Sequence, residues 1–178
     1  VTDQAGARWV LRRPPLGKIL GSAHDMGREV RVVEALAGTD VPVPPVVGYC
    51  EDPEVTGAPF YVMEFVEGPV IRGPEQAAAF PAAEQRRRLG EGLVETMARI
   101  HSVDIDQVGL ADLGRHDGYV QRQLKRWSDQ WEKSKTRDLP LVDRVHRELS
   151  GRIPEQGPAR IVHGDYRLDN TILAPLAG

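Results

Sequence analysis

The residues best suited to chemistry lie near the C-terminal end of the chain, in Ile161-Val162-His163-Gly164-Asp165-Tyr166-Arg167-Leu168-Asp169-Asn170-Thr171-Ile172-Leu173. His-x-Asp is followed by four residues and an Asn. That is the spacing of a phosphoryl-transfer loop, in which the Asp accepts the proton of an acceptor hydroxyl and the Asn holds Mg²⁺. The reaction needs little covalent help. It needs a base on the acceptor and a cation on the phosphate oxygens, and a short loop anchored at both ends can present both from one piece of backbone. Asp165 is therefore the candidate catalytic base and Asn170 the candidate metal ligand. Gly164 lets the chain turn the corner without a Cβ, and His163 is expected to brace the loop rather than react. The bland alternative is a turn closed by an Asx hydrogen bond. Asn170 in register and apolar residues on both sides argue against it.

Such a loop needs elements to hold it. Ile161 and Val162 lead in as an apolar run, and Thr171 to Leu173 leave it with strand character. At the other end of the chain, Val1 and Thr2, a turn at Asp3 to Gly6, and Ala7 to Arg12 read as a hairpin. Alternation puts Val10 and Arg12 on one face, Trp9 and Leu11 on the other. Arg13-Pro14-Pro15 ends that strand, and a flexible segment follows from Gly17 to Gly21.

From about His24 to Ala37 the pattern is helical, with Val30, Val33 and Leu36 at three- and four-residue steps, Asp25 as cap and Gly38 as terminator. Glu29 on this helix is an ordinary solvent-facing carboxylate unless the preceding strand supplies a partner. Val41-Pro42-Val43-Pro44-Pro45 is an extended linker. Val46 to Tyr49 and Phe60 to Phe65 read as strands around a polar loop, Glu51 to Pro59, and the run Phe60 to Val66 is apolar enough for a strand buried on both faces.

Composition changes after Glu67-Gly68-Pro69. From Pro74 the chain reads as helical for about 75 residues, which places a lobe boundary at 69–75 and divides the chain into 1–70 and 71–178. Leu89, Leu93, Met97 and Ile100 form one apolar stripe, ending at His101, which caps or packs the helix end. Val120, Leu124, Trp127 and Trp131 form a second stripe, and Val142, Val145 and Leu149 a third. Stripes of this kind usually make helix–helix core. Arg122, Lys125 and Arg126 beside Trp127 are the competing case, a lining for an anionic substrate. The expected class is α+β: a small antiparallel sheet with one helix, then a mainly helical lobe.

With 178 residues, 40% of them hydrophobic and 28% charged, the chain has the make-up of a globular protein. A net charge of −3 argues against a nucleic-acid-binding surface. The single cysteine, Cys50, rules out an intrachain disulfide and reads as a small packing residue. No apolar run reaches the roughly 20 residues of a membrane span and no signal-peptide pattern opens the chain, so no membrane partner and a cytoplasmic location are expected. The oligomeric state is not legible.

Taken in order, these segments resemble the aminoglycoside phosphotransferase-like kinases, a branch of the protein-kinase-like fold. Trp9-Val10-Leu11-Arg12-Arg13-Pro14, Glu29, Val41-Pro42-Val43-Pro44, Tyr61-Val62-Met63-Glu64-Phe65-Val66-Glu67-Gly68, Arg99-Ile100-His101-Ser102-Val103-Asp104 and the His163 to Asn170 loop carry the likeness. The wording is nearest to kinase domains fused to acyl-CoA dehydrogenases. The resemblance implies a two-lobed fold binding ATP and Mg²⁺, with Asp165 as base and Asn170 as magnesium ligand. Glu64, Phe65 and Val66 would form the hinge that holds the adenine through the backbone. Arg12 falls where the family usually has a phosphate-contacting lysine, and Glu29 where that lysine's ion-pair partner sits. Arginine there is a departure, because its charge is spread and its reach differs; Arg13 is the fallback, on the opposite face. The resemblance also implies a nucleotide-covering loop before Val1 and a second metal-binding Asp after Gly178. The expectation is thus of a fragment lacking both ends and inactive by itself.

The leading reading is an ATP-dependent kinase for a small hydroxylated molecule. A nucleotide-binding pseudokinase on the same fold is the alternative, with Arg12 as its sign, and a helical interaction module with an incidental turn is a third. Few carboxylates accompany the cations at 117–135, which favours an anionic or amphipathic acceptor, such as a hydroxy acid or its coenzyme A thioester, over a polycation.

Overall fold

The computed structural model describes residues 1–15 and 25–173. Their contacts divide into two compact units, Val1–Leu110 with the segment from Arg160 onward, and Ala111–Ala159.

The first unit is built on a three-stranded antiparallel sheet in the order β1-β3-β2. β1 is Trp9–Arg12, β2 is Val46–Cys50 and β3 is Phe60–Glu64. β3 is central: Trp9 to Arg12 pair with Glu64 to Tyr61, and β2 pairs on the other side with its register shifted between Val46 and Gly48. The expected N-terminal hairpin is reduced to one bridge, Thr2 to Arg8. Its turn is held by the Asp3 carboxylate, which accepts the Ala5 and Ala7 amides at 2.9 Å and the Trp9 indole N–H at 3.1 Å.

Between β1 and β2 lies helix α1, Met26–Ala37, capped by Asp25, whose side chain accepts the Arg28 amide at 3.0 Å, and ended at Gly38. Met26 and Val30 on its buried face pack against Tyr61, with Val46 and Met63 alongside. Its last turn joins a second cluster, in which Leu36 and Val41 meet Ile100 and Val103, flanked by Ile161 and Tyr166. That cluster connects the helix beside the sheet to the loop of interest. The polar loop between β2 and β3 contains one helical turn, α2, Pro53–Thr56. The proposed segment Gly17 to Gly21 lies outside the described residues.

Two expectations fail here. β3 is not buried on both faces: only Tyr61 is buried, and Glu64, Phe65 and Val66 are exposed. Hydrogen bonding to two neighbours makes the strand central, but α1 covers one face of the sheet, and the apolar side chains of β3 beyond Tyr61 stay half-buried. The helical stretch after Pro74 is also not continuous. A short turn, α3 (Pro74–Ala77), precedes α4 (Ala83–Ser102), and residues 103–118 are turns and coil. The break begins where Val103 turns extended, φ −59° and ψ 130°, and Asp104 caps a tight turn by accepting the Asp106 and Gln107 amides. The stripe on α4 packs as expected, Leu89, Leu93 and Met97 half-buried and Ile100 buried. Its other side is solvated and laced by ion pairs of Arg87 and Arg88 with Glu84 and of Arg87 with Glu91.

The second unit holds α5, Tyr119–Ser134, and α6, Pro140–Ser150, which pack on each other. Neither contains a buried residue; Trp127, Val145 and Leu149 are exposed. Their stripes are real but only partly covered, so they are not the closed helix–helix core that periodicity suggested.

Candidate active site

The loop from His163 to Asn170 turns at Gly164, whose φ of +82° is a region L side chains rarely occupy. Leu168–Asn170 form a single 3₁₀ turn. Ile161 is half-buried against the second core cluster, while Val162 is exposed, so the entry is coil anchored at one residue rather than a strand. The exit is extended, with Thr171 at φ −127° and ψ 143°; the Thr171 amide and hydroxyl donate back to the Leu168 carbonyl at 3.3 and 3.0 Å, and the Leu173 amide donates to the Pro69 carbonyl at 3.0 Å. Gly68 makes this approach possible: a Cβ there would lie 2.3 Å from the Leu173 carbonyl oxygen and 2.7 Å from the Ile172 side chain.

Within the loop, the Asn170 side-chain amide donates twice to Asp165, at 2.8 Å to its carboxylate and 2.9 Å to its backbone carbonyl. Base and amide are thereby fixed to each other. The nitrogen is committed to Asp165, and Asn170 itself is exposed. His163 accepts the Asp165 amide at Nδ1, 3.3 Å, and its ring stands edge-on to Tyr166 at 5.5 Å. It braces the loop. Tyr166 points the other way and donates its hydroxyl to the Leu93 carbonyl of α4 at 3.0 Å. Arg167 sits between two carboxylates, its Nε 3.3 Å from Asp165 Oδ1 and 2.8 Å from Asp169 Oδ1.

The sheet presents a second group. Arg12 on β1 and Glu29 on α1 form a fork, with Nε to Oε2 at 3.1 Å and Nη2 to Oε1 at 3.3 Å. Tyr61, opposite Arg12 on β3, donates its hydroxyl to Glu29 Oε2 at 3.3 Å. The hydrogen bond that Arg12 donates to Glu29 holds the guanidinium above its ordinary pKa against partial desolvation, and a guanidinium is in any case permanently charged. Arg13 turns away from this face, its Nη2 near Gly57 and without a hydrogen-bond partner. Glu64 closes β3, its amide donating to the Pro45 carbonyl at 2.9 Å; Phe65 and Val66 continue beyond the strand. The Arg8 guanidinium lies 3.6 Å from the centre of the Phe65 ring and pairs with Glu67 at 2.5 Å. Among the described residues no hydrogen bond or ion pair links the Arg12–Glu29 pair to the Asp165–Asn170 pair.

For a divalent cation, the fit test turns on oxygen donors. Mg²⁺ typically takes one or two protein oxygens and completes its shell with phosphates and water. The amide oxygen of Asn170, an exposed residue whose nitrogen Asp165 holds, is a donor of that type. Among the described residues no cluster of three or more His, Cys, Asp or Glu forms a self-sufficient metal cage.

In the second unit, Arg122, Lys125, Arg126, Asp129 and Lys133 line an open groove of about 580 Å³ along α5. Lys125 is paired with Asp129 at 3.0 Å, and Arg126 lies over the Trp127 ring at 5.6 Å.

The model of the family described as "Phosphotransferase enzyme family" matches residues 1–177. The chain belongs to that family. Its curated relatives include acyl-CoA dehydrogenase family member 10 of Mus musculus, 37% identical over 171 residues, covering 96% of this chain and 16% of that protein. Another is the probable acyl-CoA dehydrogenase IBR3 of Arabidopsis thaliana, 37% identical over 94% of this chain and 21% of its own length. The chain therefore spans about a fifth of the curated relatives it matches. A crystal structure from Ralstonia eutropha, assigned as an aminoglycoside phosphotransferase, superposes with a TM-score of 0.77 at 37% identity, covering 95% of this chain and 49% of that one. Membership in the phosphotransferase family and a kinase-like α+β fold follow, as the sequence motifs led one to expect.

Sequence reasoning reached Asp165, Asn170, Arg12, Glu29 and the Glu64–Val66 segment, and the geometry joins the first two and the second two as pairs. It missed Tyr61, Tyr166, Arg167 and Arg8. Tyr61 was discoverable from β1–β3 register alone, and Arg167 from its place between two Asp residues of the motif. Nothing local marks Arg8, which meets Glu67 across 59 residues of chain.

Proposed function

We propose that the chain carries the catalytic machinery of an ATP- and Mg²⁺-dependent small-molecule kinase, passing the γ-phosphate to a substrate hydroxyl. One observation carries this reading: the Asn170 amide nitrogen is bonded to Asp165, so the carboxylate and the side-chain amide are held as one unit. In this reading Asp165 receives the acceptor's proton as the oxygen attacks, and general-base help of this kind contributes about 10²–10⁴ in rate. Asn170 offers its amide oxygen to Mg²⁺, which when bound neutralises charge on the phosphate oxygens. Arg167, bridging Asp165 and Asp169, holds the base in its rotamer. Arg12 keeps its Nε–Nη2 edge on Glu29 and gives the Nη1 end to phosphate oxygens. The backbone from Glu64 to Val66 receives the adenine. Residues 1–70 are then the nucleotide-binding lobe, and 71–178 the lobe with the catalytic loop and acceptor site.

The acceptor is read as anionic or amphipathic, a hydroxy acid or its coenzyme A thioester, acted on in the cytoplasm. The cationic groove on α5 supports that class, as do relatives named as acyl-CoA dehydrogenase family members. A pseudokinase is the second reading, favoured by arginine at the position where the family usually has lysine. Substituting Asp165→Asn in the intact protein and measuring phosphate transfer to a panel of hydroxylated acceptors separates them. A kinase loses turnover by about 10² or more and still binds ATP. A wild-type protein that binds ATP and transfers nothing to any acceptor supports the pseudokinase.

A further inference from the structure

The Arg12–Glu29 pair has a third member, to which the motifs assign no role. Tyr61 lies directly across from Arg12 in the β1–β3 ladder and is only 4% exposed. Its ring is clamped between the sheet and the Met26–Val30 face of α1. A hydroxyl that deep needs a partner, since buried polar groups left unpaired are costly, and it takes Glu29 Oε2 at 3.3 Å. The same oxygen accepts Arg12 Nε at 3.1 Å, while the other carboxylate oxygen accepts Nη2. Burial, and then the Glu29 charge, push the Tyr61 hydroxyl above its ordinary pKa, so it stays a donor.

This arrangement answers a difficulty that arginine creates. A guanidinium is broad and can rotate among several pairings, whereas a carboxylate held by one partner alone would follow it. Glu29 is held from both sides: by Arg12, and independently by a side chain rooted in the central strand. From the shared oxygen, the bridging geometry and the register, we infer that Tyr61 is a positioning residue: its hydroxyl fixes Glu29, and Glu29 in turn sets the Arg12 guanidinium edge-on to the nucleotide phosphates. Tyr61 touches neither nucleotide nor acceptor. This rests on the nucleotide reading proposed above.

The test is binding of ATP–Mg²⁺ and of adenosine, by calorimetry, to the intact wild-type protein and to Tyr61→Phe, which removes one oxygen and keeps the packing. The expected result is roughly a tenfold loss of ATP affinity with adenosine unchanged, the size of one lost charge-assisted hydrogen bond. Adenosine serves as the control for folding, because it shares the base and ribose but has no phosphate for Arg12 to hold. ATP and adenosine affinities both unchanged, or both reduced alike, overturn the positioning role. A wild-type protein that binds neither overturns the nucleotide reading and the inference with it.

Discussion

Asp165 and Asn170 hold each other through two hydrogen bonds, and the loop they sit on is held in turn by Tyr166. The Tyr166 hydroxyl reaches a carbonyl of α4, and its ring packs into the cluster of Leu36, Val41, Ile100 and Val103. Tyr166→Phe keeps the ring and drops one hydrogen bond; a loss of about 0.5–1.5 kcal/mol in urea unfolding is expected, with the ring contact to His163 retained. At the other end of the chain, the Asp3 carboxyl is held below its ordinary value, first by the Trp9 indole N–H and then by backbone amides. A depressed folded pKa stabilises above the unfolded value and is lost as pH falls through the folded one. The turn at Asp3 to Ala7 is therefore intact above about pH 4 and opens in more acid solution. The NMR shift of the Trp9 indole proton should titrate with it, and Asp3→Asn should abolish that titration.

At the level of elements, Pro69 and Leu173 are the point where the segment after β3 meets the exit of the His163–Asn170 loop. The contact depends on Gly68 having no side chain, because the obstacle is a backbone carbonyl that cannot swing aside. Gly68→Ala should cost about 1–3 kcal/mol of stability, the range of overpacking, read as a drop in urea midpoint. It should also lower phosphate-transfer turnover in the kinase reading, because Ile172 and Leu173 lie two and three residues past Asn170; unchanged stability would show that the approach is not as tight as the geometry states. Helix α1 was readable beforehand: Asp25, the apolar steps and Gly38 are local signals with local causes. The break at 103–118 also had local signals, Gly109, Gly114, Gly118 and the Asp residues among them, which the apolar stripes on either side outweighed in the reading. The decision came from Asp104 and the Arg31 guanidinium, which reaches across to the Gly109 carbonyl at 2.6 Å.

Over the whole molecule, a net charge of −3 conceals a local reversal. The groove on α5 is lined by Arg122, Lys125, Arg126 and Lys133. Replacing Lys125 and Arg126 together with Glu should leave the melting temperature nearly unchanged, since both are exposed and a surface pair contributes little. It should weaken binding of an anionic ligand such as a coenzyme A thioester several-fold at low salt, by calorimetry, and leave binding of a neutral alcohol alone. Unchanged binding of the anion would remove the groove as an anion site. Among the described residues no helix is long and apolar enough to cross a membrane.

Residue types and spacing alone determined the family and the α+β class, because a His-x-Asp with Asn in register and an ordered set of short motifs are one-dimensional facts. The partners of Arg12 and Glu29 needed two more dimensions. Strand register put Tyr61 opposite Arg12, and helix packing brought Glu29 to both. Burial likewise could not be read from apolar runs: β3 and the α5 and α6 stripes have core-like sequences, yet how much of each is covered depends on what the rest of the chain lays against it.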